Sequence, residues 1–284
     1  VSEFSSEWLD LREQADARAR SADITNAVSA HFALRDEVHV LDLASGTGAN
    51  LRATASLLPR RQAWTLVDHD AALLATAKKR LASWADTFET EGEALQMRKD
   101  GCEIAVTFTV ADLAIETAAL LDKPWHLVTA SAFFDLASET YIRSLAKILA
   151  ARRTPLYAAL TYNGLRRWIP HRPADNQMAA AFHRHQMRDK GFGNAAGPLA
   201  ASVLGDQFRL HGYTVLEGDS SWRLERGERM LIEELVRTHA VAVSEIGGVE
   251  DKTILDWVKV PRTGTLVGHT DTFAVPGLEQ SSFD

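Results

Sequence analysis

The residues with the clearest chemistry in this 284-residue chain are Asp42-Leu43-Ala44-Ser45-Gly46-Thr47-Gly48 and Asp68, which lies 20 residues past Gly48. Gly46 and Gly48 permit positive φ and let a ligand approach the backbone with no Cβ in the way. Set between a strand and a helix, such a turn points free N–H groups at the carboxyl edge of a sheet, where open α/β folds bind ligands. Asp68 closes the next apolar run, AWTLV. A carboxylate at that point can accept both hydroxyls of a ribose, through charge-assisted bonds worth roughly 1.5–3 kcal/mol each. The competing role is to cap the next helix, and Asp70 suits that role at least as well, which leaves Asp68, with His69 beside it, for the ribose. The position three after Gly48 is Leu51, so the G-x-G-x-x-G fingerprint of nicotinamide binders lacks its third glycine.

The surrounding elements must hold that turn. Residues 5–20 read as a helix, and Ile24, Ala27, Val28, His31 and Phe32 make one apolar helical stripe after it. VHVLDL (38–43) is a buried-type strand running into the turn, followed by a helix through Leu51, Ala55 and Leu58. After AWTLV, a helix carries Leu74, Ala77, Leu81, Trp84 and Phe88 on one face. Strands at 103–110, 125–130 and 155–162 then alternate with a helix at 141–151. Beyond Asn163 come helices at 176–190, 199–211, 226–244 and 250–258 and strands at 213–217 and 265–275. Strands alternating with helices at this spacing give an α/β fold whose parallel sheet is covered on both faces.

In combination these motifs resemble motif I and its partners in the class I S-adenosylmethionine-dependent methyltransferases. The family pattern D/E-x-G-x-G-x-G is met by Asp42, Gly46 and Gly48, with Ala44 in place of the first glycine. The resemblance implies a Rossmann-like, doubly wound, mostly parallel seven-stranded sheet with an antiparallel last strand, TGTLVGHTDTFAVP. It implies S-adenosylmethionine as cofactor, with Ala44 and Ser45 in the turn and Asp68 on the ribose. Asp112 and Leu113 then bracket the adenine, and Ser131 stands where cofactor and substrate meet. The segment SAFFD (131–135) is not the N/D-P-P-Y/F tetrapeptide of amino-methylating DNA enzymes, which argues for a small-molecule acceptor. A nicotinamide-dependent oxidoreductase is the rival, but it leaves Asp42 and Asp112-Leu113 unexplained. A non-catalytic cofactor-binding partner protein and an aminopropyl transferase are further alternatives on the same fold.

Methyl transfer from a sulfonium is an in-line displacement, so the protein supplies alignment, desolvation and, for a hydroxyl or protonated amine, a base. Acceptor-side residues are expected after strands 4 and 5. Asp135 and His185 are the catalytic candidates, and Phe133, Tyr162, Phe182 and His183 are the substrate-binding ones. His185 shares a helical face with Phe182 and with Asp189, which could orient it. His183 and His185 diverge by ~200° on a helix and cannot chelate one metal, so no metal is expected. Residues 163–197 read as a helical lid inserted in the main domain (36–284), with Gly191, Gly193 and Gly197 as hinges. Residues 1–35 read as an N-terminal helical cap that brings an arginine, Arg20, to the cofactor carboxylate.

Composition narrows the partners. The formal net charge is −7, yet residues 151–190 hold eight Lys/Arg against two Asp, a local +6 that leaves −13 elsewhere. A mostly acidic chain is a poor general binder of nucleic acid, and the basic segment suits an anionic acceptor. No apolar window reaches the roughly 18 residues of a membrane span. The single cysteine, Cys102, excludes an intramolecular disulfide framework, and VSEFSSEWLDLREQAD lacks the order of a secretory signal. The expected compartment is reducing and cytoplasmic.

Overall fold

The computed structural model describes residues 5–277. Helices α1 (Ser6–Ala19) and α2 (Ala22–Phe32) come first, then β1 (Glu37–Leu43), α3 (Ala49–Thr54), β2 (Arg61–Asp68) and α4 (Ala71–Trp84). The hairpin β3 (Thr87–Glu91) and β4 (Ala94–Lys99) follows, then β5 (Cys102–Val110), α5 (Leu113–Leu120), β6 (Leu127–Ser131), α6 (Glu139–Arg152) and β7 (Leu156–Ile169). The described chain ends with α7 (Asp175–Gln186), α8 (Ala200–Leu210), β8 (Tyr213–Asp219), β9 (Trp222–Leu224), α9 (Arg229–Ile246), α10 (Asp251–Val258) and β10 (Gly264–Pro276). Several starts are fixed by side-chain caps that accept free N–H groups: Ser5 for α1, Asp70 for α4, Asp112 for α5 and Ser138 for α6.

One sheet runs in the order β3-β4-β5-β2-β1-β6-β7-β10-β8, with β9 on β10. The central strands β5, β2, β1, β6 and β7 are parallel, and β10 is antiparallel to both β7 and β8. Alternation along β1 divides the core. Leu41 and Leu43 face α5, α6 and α8, while Val38 and Val40 face α2, α3 and α4. The parallel strands therefore end together at one carboxyl edge, with the connecting loops gathered above it.

The expected seven strands are joined by three others. The apolar helix stripe ends at Trp84, and Phe88 lies exposed on β3 because the chain alternates from Thr87 and turns back at Gly92, which has φ +58°. The helix expected through Leu58 is α-helical to Thr54 and tightens into a 3₁₀ turn over Ala55–Leu57; Pro59 follows closely, and the Gln62 side chain donates to the carbonyls of Ala55 and Pro59. β7 does not end at Tyr162. It leaves β6 after Ala159 and continues, paired with β10, to Ile169 opposite Gly264. This ribbon extends beyond the carboxyl edge and carries a third core built with α1, α7, α9 and α10, including Tyr162, Trp168, Trp222 and Trp257.

No helix among the described residues is long and apolar enough to cross a membrane. The described residues hold no cluster of three metal-ligating side chains.

Candidate active site

A cavity of about 460 Å³ opens at the carboxyl edge, within the usual range for small-molecule sites. Its floor is the turn after β1, where Ala44, Ser45, Gly46 and Thr47 are followed by Asn50 of α3. Asp68, His69 and Asp70 come from the end of β2, Asp112 and Leu113 from the end of β5, and Ser131 and Phe133 from the end of β6. Leu9, Arg12, Glu13 and Ala17 of α1 lie across it, with Arg20 just past that helix. Gly46 stands at φ +52°, and a Cβ there would come within 3.2 Å of Leu9, so any other residue would strain the turn and press on α1.

Three non-glycine residues near the carboxyl edge also hold left-handed backbone: Ala44 at φ +51° after β1, Ala132 at +52° after β6, and Leu160 at +55° inside β7, just past its last pair with β6. Each costs on the order of 1–2 kcal/mol. Two of them are held by bonds of their own: Leu160 N–H donates to the Asp271 carboxylate at 2.8 Å, and Ala132 N–H to the Ala159 carbonyl at 2.9 Å.

The sequence-derived cofactor residues fall into two groups. Asp68 accepts from Gly46 N–H at 2.8 Å and Asp70 N–H at 3.0 Å, so its carboxylate braces the glycine turn while lining the cavity. His69 lies beside it, with Nδ1 3.3 Å from the carboxylate. Asp112 caps α5 through Ala114 N–H and also lines the cavity. Gly48, at φ +75°, starts α3. Asp42 stands behind the cavity. It is fully buried, and one oxygen accepts from Asn50 Nδ2 at 2.7 Å while the other has no partner.

Asn50 is a residue that sequence reasoning missed. It donates to Asp42 and Thr129 and accepts from Arg20 at 2.8 Å, so Asp42 acts on the cavity through Asn50. The only signal in the sequence was an amide in the first turn of the helix that follows the glycine turn. Arg20 also donates to Thr54 and to the Tyr157 hydroxyl, each at 3.2 Å, and its buried Nε has no partner.

Burial pushes the Asp42 carboxyl up to about 7, against the pull of Asn50 and Arg20. The folded protein therefore holds this proton more tightly than the unfolded chain does. The resulting stability is complete below about pH 4 and is lost as the pH rises through about 7. Asp42→Asn is expected to remove that loss. The variant's stability relative to wild type in urea unfolding should grow by about 2 kcal/mol between pH 5 and pH 8. A difference that does not change with pH would contradict this assignment.

The acceptor-side candidates are less tightly gathered. Phe133 lines the cavity and packs edge-on against Tyr141 and Phe192, the latter in the Asp189–Asn194 turn. Asp135 follows β6, with one carboxylate oxygen buried and unpartnered, and burial pushes its carboxyl up to about 6. Tyr162, Phe182 and His183 come together in the third core, with the Tyr162 hydroxyl 3.0 Å from His183 Nε2. His185 points elsewhere. It pairs with Glu245 of α9 at 2.9 Å, and Asp189, the expected orienting acid, accepts instead from Gly191 and Gly193 N–H.

No family model matches the chain, and no curated protein matches it in sequence. Solved structures do match. A cyclopropane-fatty-acyl-phospholipid synthase-like protein from Lactobacillus casei superposes with a TM-score of 0.55 at 12% identity, over 95% of this chain and 94% of that one. The YcgJ protein from Bacillus subtilis gives 0.50 at 12% identity, over 89% and 98%. A SAM-dependent methyltransferase from Thiobacillus denitrificans, solved with S-adenosyl-L-homocysteine, gives 0.46 at 14% identity, over 96% and 99%. The first two share the fold along nearly the whole chain.

Proposed function

We infer that this chain, which has the Rossmann-like fold of the class I methyltransferases, binds S-adenosylmethionine and transfers its methyl group to a small anionic acceptor. The observation that carries the reading is one cavity that gathers the glycine turn, Asp68, Asp112 with Leu113, and Arg20, whose buried Nε has no partner. A buried cation with a free donor fits a ligand carboxylate, and Asp68 fits a ribose. Leu113 and Ala111 offer an apolar wall for a base.

When bound, the cofactor supplies an electrophilic methyl group. The chain's own residues then have separate tasks. Arg20 and Asp68 orient the two ends of the ligand. Helix α1 excludes water from above, held by Arg52 to Glu13 at 2.7 Å and by an Arg80–Asp10 pair. Asp135, ionised near neutral pH but with its pKa raised, is suited to take a proton from a hydroxyl or ammonium acceptor. We further propose that the 163–197 segment closes the acceptor side, through Lys190, Gly191 and Phe192 in the cavity wall.

Calorimetric titration with S-adenosylhomocysteine tests the reading, with NADH and NADPH as controls, on wild type and Asp68→Ala. Wild type is expected to bind S-adenosylhomocysteine alone. Asp68→Ala is expected to bind it at least tenfold more weakly, the loss of one charge-assisted contact of about 1.5–3 kcal/mol. Absence of S-adenosylhomocysteine binding by the wild type would overturn the function.

A further inference from the structure

The basic segment contains a cation whose partner is missing. Arg166 extends from the ribbon part of β7 into the third core, and its Nε is buried with no hydrogen-bond partner. The groups in contact with it are neutral or aromatic. One guanidinium nitrogen lies 3.2 Å from His239 Nδ1. The guanidinium carbon stands 4.8 Å from the Phe182 ring, 5.5 Å from Trp168 and 6.0 Å from Tyr162. The Tyr162 hydroxyl bonds His183, and His269 packs against Tyr162. Burial holds His183, His239 and His269 below the usual histidine range, so they bring no counter-charge and add no second cation at neutral pH. No carboxylate among the described residues pairs with Arg166, in contrast to Arg262 of the same core, whose buried guanidinium meets Asp175 at 2.8 Å. A buried charge is normally paired, since desolvating it alone costs several kcal/mol.

None of these residues lines the cavity, but a run of contacts joins them to its wall. Arg12, which lines the cavity, lies 5.0 Å from the Trp222 ring. Trp222 contacts His269, and His269 contacts Tyr162. Asp135 lies close enough to Tyr162 to raise its hydroxyl pKa further. The proposed base is thus next to Tyr162, with Arg166 on the same tyrosine.

We propose that Arg166, with the Tyr162 hydroxyl beside it, binds an oxyanion group, carboxylate or phosphate, of the methyl acceptor. This rests on the transferase reading for the word acceptor; the oxyanion site itself stands on the geometry of Arg166. Phe182 and Trp168 pack on the guanidinium, and its Nε is left as a donor without a partner, suited to a planar or tetrahedral anion.

The test is calorimetric titration of the S-adenosylhomocysteine-loaded protein with acetate, benzoate and inorganic phosphate, with benzamide as the neutral counterpart of benzoate. At least one anion is expected to bind saturably at millimolar concentration, and benzamide is not. Arg166→Gln should weaken that binding at least tenfold and Tyr162→Phe severalfold, with S-adenosylhomocysteine affinity unchanged in both. Binding of acetate or benzoate alone would identify a carboxylate, and binding of phosphate alone a phosphoryl group; either supports the site. The proposal is overturned if no anion binds the wild type, if benzamide binds as well as benzoate, or if the affinity survives Arg166→Gln. Should Arg166→Gln fail to fold, the wild-type series and Tyr162→Phe decide. Anion binding by a protein that does not bind S-adenosylhomocysteine would keep the oxyanion site and remove the transferase reading.

Discussion

Replacing Asp271 with alanine is expected to destabilise the fold by about 3–5 kcal/mol, the largest effect of any single change considered. Asp271 is completely buried in β10, and three donors converge on its carboxylate: Ser21 N–H at 3.0 Å, Leu160 N–H at 2.8 Å and the Tyr157 hydroxyl at 3.4 Å. Removing it strands two buried backbone donors, each worth about 1–3 kcal/mol. It also frees Leu160 from the contact that holds it in left-handed backbone. Asp271→Asn should recover only part of the loss, since its amide NH2 would face one of those two N–H donors. Urea unfolding of the three proteins measures this, and a loss below about 1 kcal/mol for alanine would refute it.

Arg20→Ala is expected to weaken S-adenosylhomocysteine binding about 30-fold or more, the equivalent of roughly 2–3 kcal/mol for a charge-assisted contact. The comparison ligand is 5′-methylthioadenosine, which keeps the nucleoside and lacks the amino-acid end. Its affinity should change little, because Arg20 would face only the missing carboxylate. Equal losses for both ligands would mean that Arg20 supports the cavity through Asn50, Thr54 and Tyr157 and makes no carboxylate contact.

How much of this was legible in the sequence depended on distance along the chain. The glycine turn, the Asp70 cap and the strand–helix alternation are local, and local rules read them. Arg20 was legible as a cation at the end of a pre-sheet helix. The network that uses it was not, because Asn50 and Tyr157 lie 30 and 137 residues away. Asp42 carried the right motif signal, but the motif does not reveal that an amide stands between it and the cavity. Phe88 satisfied a helical period that the chain had already left. The length of β7 was hidden by Asn163-Gly164, which resembles a strand end, yet here the ribbon continues past an irregular register opposite His269 and Val267. His185 was placed on a sound helical face, but α9, which supplies Glu245, lies far along the chain and could not be anticipated.

The placement of α1 bears on how the chain divides. Residues 1–35 read as an N-terminal helical cap set apart from the main domain, and in the structure Leu9 packs on Gly46, Glu13 pairs with Arg52, Ser21 N–H donates to Asp271 and Trp222 donates to Asp16 of α1. A chain cut at residue 36 would keep every strand of the sheet and still lose the roof of its cavity, the arginine proposed for a ligand carboxylate and one donor to the buried aspartate of β10. The line between residues 35 and 36 separates two patterns of sequence, whereas the side-chain contacts and the cavity both run across it.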